Sequence, residues 1–167
     1  MTDEVFEVSA PEHFKALAHP MRQRLLFTLG EPATLSQLAA SLGSNKGNIA
    51  HHLAVLRDAG LVIPVGRRHV RGGTEQYYQR AARAFRFSGE HTAANLPVAF
   101  SGIADEIAAA EPDPLLMLRH LRLTPAQAEQ ITATLTALAH QTQDAGPGQP
   151  RYGLLLGLYR QAGPGEG

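Results

Sequence analysis

The chain has 167 residues, 44% of them hydrophobic, no cysteine and a formal net charge of zero. That is enough apolar material to bury a core and too much for a compositionally disordered chain. The missing thiols exclude disulfides, thiolate nucleophiles, iron–sulfur clusters and all-cysteine metal sites. No apolar run approaches the roughly 18 residues that a membrane-spanning helix needs. The first twelve residues are acidic and lack the charged-then-apolar order of a signal peptide, so a cytoplasmic location is expected.

The zero net charge conceals an asymmetry. Residues 1–12 hold Asp3, Glu4, Glu7 and Glu12 and no Lys or Arg. Residues 13–87 hold eleven Lys or Arg against three acids, a net of +8, and residues 88–167 carry a net of −4. A basic segment between acidic ones suits a polyanionic partner, the alternative being a solvated basic face.

In chain order, Ser9 is a candidate N-cap, with Pro11 and Glu12 in the first turn of a short helix reaching Ala18. His19-Pro20 breaks it, because a residue before proline avoids the helical region. Pro20 opens a second helix over 20–29, with Leu25, Leu26 and Leu29 on its apolar side and Gly30 at its end. Thr34-x-x-Gln37 has the spacing of a capping box. Leu35, Leu38, Ala39 and Leu42 then mark one face of a third helix, closed by Gly43. Ser44 or Asn45 caps a fourth, with Ile49, Leu53 and Leu56 as its core stripe and a stop at Gly60.

Beyond Gly60 the pattern predicts a β-hairpin. Its strands are Leu61–Val65 and Thr74–Gln79, and its tip is the long, basic, glycine-hinged stretch Gly66–Gly73. Residues 81–87 lead out of it and the polar residues 88–95 read as a hinge. An Ala-rich helix is expected over Leu96–Ala110, stopped by Glu111-Pro112-Asp113-Pro114. Leu115–Leu123 leans to a strand. Thr124-Pro125-Ala126-Gln127 starts a helix running to Thr142, a loop follows at 146–150, Tyr152–Tyr159 reads as a final strand, and the tail from Gly163 as frayed. The fold class is therefore α+β, mainly helical. It comprises an acidic arm (1–12), a winged helix-turn-helix (13–88) and a small helix/strand C-terminal region (96–162) for dimerisation or effector binding. Leu154–Leu156, residues 115–123 and the face of helix 125–142 are expected either to line a ligand pocket or to pack together as core.

Two capped helices joined at Gly43 and followed by a basic hairpin suit duplex DNA, with the second helix entering the major groove by its N-terminal half. With Ile49, Leu53 and Leu56 turned inward, Gly47, Ala50, His51 and Ala54 face outward, Asn48 flanks them and Lys46 stands at the edge. Small residues there allow close approach. Asn48 can pair with adenine, and Lys46 can donate to guanine or phosphate. The helix N-terminus at Asn45 attracts a phosphate, and Arg67, Arg68 and Arg71 would reach the DNA backbone or minor groove. His52 lies near the inward stripe and reads as a packed core histidine, and adjacent His51-His52 cannot readily clamp one ion from a straight helix. No nucleophile–base arrangement, phosphate loop or dinucleotide motif is present, so a non-enzyme without cofactor is expected.

Residues 13–87 resemble the ArsR-type winged-helix repressors. The resemblance is carried by Phe14-Lys15-Ala16-Leu17-Ala18-His19-Pro20-Met21-Arg22, by the stretch from Asn48 to Val62 beginning Asn48-Ile49-Ala50-His51-His52-Leu53, and by Arg71-Gly72-Gly73-Thr74-Glu75-Gln76-Tyr77-Tyr78. It implies a homodimeric transcription factor on a partly palindromic operator, often a repressor released by an effector. It also implies that Lys46, Gly47, Asn48 and His51 take the base-reading positions, and that helices near 10–18 and 96–110 form the dimer surface. The departures matter. The family's thiolate metal sensors need cysteines, which are absent. Its second metal site uses Asp, His and Glu after the wing, whereas here Asp105 and Glu106 have no histidine nearby and Gln143 follows His140. No metal is therefore expected, and residues 96–161 resemble more closely the extended C-terminal regions of relatives with organic effectors. Two rival readings stay open, a protein–protein interaction module and a non-specific architectural DNA binder.

Overall fold

A computed structural model describes residues 3–110, 114–146 and 148–161. It falls into two units, residues 1–115 and 116–167. The stop expected at Glu111-Pro112-Asp113, Pro147 of the expected loop and the tail from Gly163 lie outside the described residues.

In the first unit, strand β1 (Asp3–Val8) precedes helices α1 (Pro11–Leu17) and α2 (Pro20–Thr28). A two-residue strand β2 (Ala33–Thr34) leads into α3 (Leu35–Ser41) and α4 (Lys46–Asp58). Strands β3 (Val62–Val70), β4 (Gly73–Arg80) and β5 (Ala82–Phe87) follow, and then α5 (Thr92–Ala108). One sheet has the order β2-β4-β3 and is antiparallel; β1 and β5 form a separate parallel pair. Among the described residues, six helices and two small sheets make the fold α+β and mainly helical, as the sequence predicts.

Local chemistry explains most boundaries. Thr34 and Gln37 close a reciprocal capping box, the Thr34 N–H donating to Gln37 Oε1 at 2.8 Å and the Gln37 N–H to Thr34 Oγ1 at 3.3 Å. Asn45 Oδ1 accepts the Asn48 N–H at 2.8 Å, so Asn45 rather than Ser44 caps α4. Gly43 at φ 60° makes the turn between α3 and α4 in a conformation costly for any residue with a Cβ. The cap of α1 differs from expectation. Ala10 holds the N-cap position, and the ring Nδ1 of His13 accepts the N–H groups of both Ser9 and Ala10 at 3.3 Å. A side chain one turn ahead thus does the work expected of the Ser9 hydroxyl.

The periodic apolar positions converge. Leu25, Leu29, Leu38, Ile49, Leu56 and Leu61 are wholly buried in one core with Phe14 and Val8. Each such side chain contributes roughly 1.5–3 kcal/mol of burial. Val8 belongs to β1, for which the sequence offers no helix or hairpin signal. Its strand exists because β5 pairs with it, supported by Glu7, which meets Arg86 at 3.2 Å and accepts from Ser88 Oγ at 2.7 Å.

Helix α5 begins before the predicted Leu96. Gly89 at φ 89° turns the chain, and the Asn95 amide donates to the His91 carbonyl at 2.7 Å, so residues 92–95 are helical rather than a hinge. Pro97 stands inside the helix instead of at its start, at the loss of one backbone bond. α5 lies against α2 through Gln23, whose amide donates to the Leu17 carbonyl at 2.7 Å and to the Ala99 carbonyl at 3.3 Å. A Cβ on Gly102 would come within 2.5 Å of Gln23 Cγ, so glycine is what permits that approach.

The second unit contains helix α6 (Pro125–Gln141), started by a reciprocal Thr124/Gln127 cap as its sequence predicts. Neither expected strand forms: the described residues of 115–123 and of 152–159 are neither helix nor strand. A strand is stable only through a ladder partner, and no sheet in the described residues takes one from this unit. The expected mutual packing is absent as well. α6 buries no residue, and Met117, Leu154 and Leu155 are exposed.

Candidate nucleic-acid interface

The fourth helix separates its residues by face. Ile49, Leu53 and Leu56 are buried, with His52 beside them at 7% exposure. Lys46, Gly47, Asn48, Ala50 and His51 are exposed on the other side, and Ala54 is half-buried. The face carries one cation, one amide and one imidazole among small residues. Its amide and that of the preceding N-cap are already engaged. Asn45 spends its oxygen on the cap, and the Asn48 amide donates to Ser44 Oγ at 3.0 Å, a contact it must exchange to reach a base edge. A shallow cavity of about 160 Å³ lies beside this face, lined by Leu35, Ala50, Leu53, Ala54, Arg57 and Tyr78.

The hairpin departs from the sequence expectation. β3 and β4 pair up to Val70 and Gly73, leaving a two-residue connection at Arg71-Gly72, with Gly72 at φ 106°. The long tip is thus strand, because backbone pairing continues once the turn is this short. Only Arg71 stands at the turn. Arg67 and Arg68 sit back on β3, Arg67 roughly 13 Å away at about 3.3 Å per residue. As strand neighbours, the two arginines point to opposite faces. Arg67 Nε donates to Gln76 Oε1 at 3.0 Å. Gln76 in turn donates to the carbonyls of Gly66 and Tyr77, beside the register shift at Pro64/Gly66. Gln76 shares its face with Tyr78, which lines the cavity against α4. Arg68 lies opposite Glu75 and meets it at 3.6 Å. The sequence reading passed over Glu75 and Gln76; a two-residue hairpin register would have placed them opposite the arginines.

Three imidazoles meet beneath the exposed face. The His52 ring lies 4.4 Å from that of His19 and 5.3 Å from that of His51. His19 caps α2 by accepting the Met21 N–H at 3.1 Å. The buried His52 Nδ1 has no hydrogen-bond partner among the described residues. Burial first, then the charges of His19, Arg22 and His51, hold the His52 imidazole below its ordinary pKa. Arg22 is tied to the Ala16 and Lys15 carbonyls. Among the described residues no group of three or more His, Cys, Asp or Glu could hold a metal ion, and no helix is long and apolar enough to cross a membrane.

Two helices joined by a tight glycine turn, a polar face on the second, and a paired β-ribbon beside it define a winged helix-turn-helix, the domain class of many transcriptional regulators. A helix-turn-helix domain family matches residues 17–65. Over 64 residues the chain is 39% identical to the HTH-type transcriptional regulator CmtR of Mycobacterium bovis, and equally to that of Mycobacterium tuberculosis. The match takes in 38% of this chain and 54% of theirs, so the chain spans about half the length of the curated relatives it matches. Residues 17–65 are thus similar to helix-turn-helix transcriptional regulators. Among solved structures, reduced HlyU from Vibrio cholerae aligns at TM-score 0.38 and 19% identity, covering 60% of this chain and 87% of that one. An ArsR-like transcriptional regulator from Rhodococcus sp. RHA1 aligns at TM-score 0.33 and 20% identity, covering 79% and 91%.

Proposed function

We propose that this protein is a cytoplasmic, sequence-specific DNA-binding regulator that acts as a symmetric homodimer on a partly palindromic operator. In this reading it represses until a small organic effector bound through the C-terminal region releases it. The observation that carries the DNA reading is the division of α4 into a buried Ile49/Leu53/Leu56 stripe and an exposed Lys46/Gly47/Asn48/His51 face beside a ribbon bearing Arg67, Arg68 and Arg71. Asn48 and Lys46 read base edges. His51 faces the groove beside them, the Asn45-capped helix end approaches the backbone, and the wing arginines bind phosphates. The homodimer, the repressor role and the organic effector rest on the resemblance to ArsR-type regulators and on the lack of cysteine ligands.

The test is selection from a random duplex pool at physiological salt, with the oligomeric state measured alongside. Inverted half-sites about 10 base pairs apart, or a multiple of that, are expected. Salt-sensitive binding without enrichment would replace this reading with an architectural role. No binding at all would favour a protein-interaction module.

A further inference from the structure

We propose that Glu75 is a specificity-determining residue: its carboxylate holds Arg68 as an internal substitute for a DNA phosphate, releasing it only to a duplex that α4 has already brought into register. The inference rests on the DNA reading above and assigns a regulator to one of its contacts.

Glu75 is the single acid in residues 62–80, a stretch with four arginines. It lies directly across the ribbon from Arg68, on the same face, with Glu75 Oε2 3.6 Å from Arg68 Nη2. Its other oxygen, Oε1, accepts from Ser36 Oγ on α3 at 2.9 Å. The Glu75 side chain is 26% exposed and that of Arg68 61%. The carboxylate is thus the anchored partner and the guanidinium the mobile one. Arg67, by contrast, is held by the neutral Gln76. Two neighbouring arginines therefore differ in what a phosphate must displace. For Arg67 it is a neutral amide. For Arg68 it is an ion pair with a carboxylate, an anion like the phosphate that would replace it.

An exchange of one anion for another is close to balanced, so small differences in phosphate placement decide it. On a duplex whose bases do not fit α4, the phosphates are not held in register, and Arg68 stays with Glu75. On a fitted duplex the phosphate takes Arg68. Glu75 thereby removes one cation from binding at random sites while leaving it available at the operator. Fewer phosphate contacts mean a shallower salt dependence, by about 0.9 in the logarithmic slope per contact.

The experiment compares wild type, E75Q, R68A and the R68A/E75Q double variant on the selected duplex and on a random duplex across a salt series, with thermal melting as a folding control. E75Q is expected to tighten random-duplex binding several-fold and to steepen its slope by about one unit, with a smaller change on the selected duplex. In the R68A background the same substitution should give little of that gain. R68A alone should weaken the selected duplex and leave the random-duplex slope nearly unchanged. This expectation decides the matter even if E75Q proves poorly folded. An E75Q protein that melts like wild type and binds both duplexes like wild type would overturn the proposal. So would an equal gain in the R68A background, or an equal R68A loss on both duplexes. Failure of the wild type to bind any duplex would instead overturn the DNA reading beneath it.

Discussion

The winged helix and residues 116–161 are built from comparable local signals and reach different ends. Both contain a helix started by a reciprocal Thr/Gln cap, at Thr34 in one and Thr124 in the other. In the first, the helix after that start contributes Leu38 to a core of wholly buried leucines. In the second, α6 buries nothing, and Met117 and Tyr152 are each at least 80% exposed. Capping sets where a helix begins. Tertiary packing decides whether its apolar face contributes to stability.

The largest expected effect tests that contrast directly. Leu56→Ala should lower stability by about 2–5 kcal/mol, because it opens a cavity in the core around this wholly buried side chain. Leu155→Ala, at a half-exposed position, should change it by about 0.5 kcal/mol or less. Chemical denaturation of both variants checks this, and equal losses would show a second buried core in the working protein.

The proposed base recognition draws on the first region alone. Asn48→Ala should weaken the selected duplex by about 1–3 kcal/mol and relax preference at one base position, while random duplex changes little. Equal loss on both duplexes would remove Asn48 from base reading. The two caps give a matched pair. Thr34→Ala should cost about 0.5–2 kcal/mol and lower the cooperative melting of the whole winged helix, whereas Thr124→Ala should reduce helical signal without moving that transition. Arg67→Ala should flatten the salt dependence by about one contact on every duplex, and Arg122→Ala should leave it unchanged. A slope that responds to Arg122 instead would move part of the DNA interface into the second region.

The smallest expected effect is that of pH. His52 sits below its ordinary pKa in the folded protein because of burial and its cationic neighbours. On acidification the unfolded chain therefore takes up this proton first. The His52 contribution is fully present above about pH 6.5 and declines as pH falls from there toward the lower folded value. Between pH 5 and 7.5 the melting temperature of wild type should fall on acidification more steeply than that of His52→Gln. A wild-type curve as flat as the variant's would show that the cluster exerts no such penalty.

Much of the DNA-binding half was legible because its signals are local. Apolar spacing put Ile49, Leu53 and Leu56 inward and left Asn48 and His51 outward, and the Thr34/Gln37 box and the glycine stops marked the helix ends within a residue or two. The wing was legible in kind but not in register. A glycine-rich stretch reads as a loop, and only pairing revealed that Arg67 and Arg68 lie on opposite faces, with Gln76 and Glu75 across from them.

Strands show the same limit in both directions. Asp3–Val8 carries no distinctive pattern and is a strand because β5 lies beside it. Residues 115–123 and 152–159 carry a strand-like pattern and form none, because none of the described sheets takes them as a partner. The sequence by itself determined most of the helices, the Thr34 and Thr124 caps and the two-faced α4, since each depends on residues within one or two turns of each other. Which strands exist and which face each wing arginine takes were decided by the tertiary structure. Those outcomes depend on hydrogen bonds and desolvation between residues far apart in the chain, and no local pattern records them.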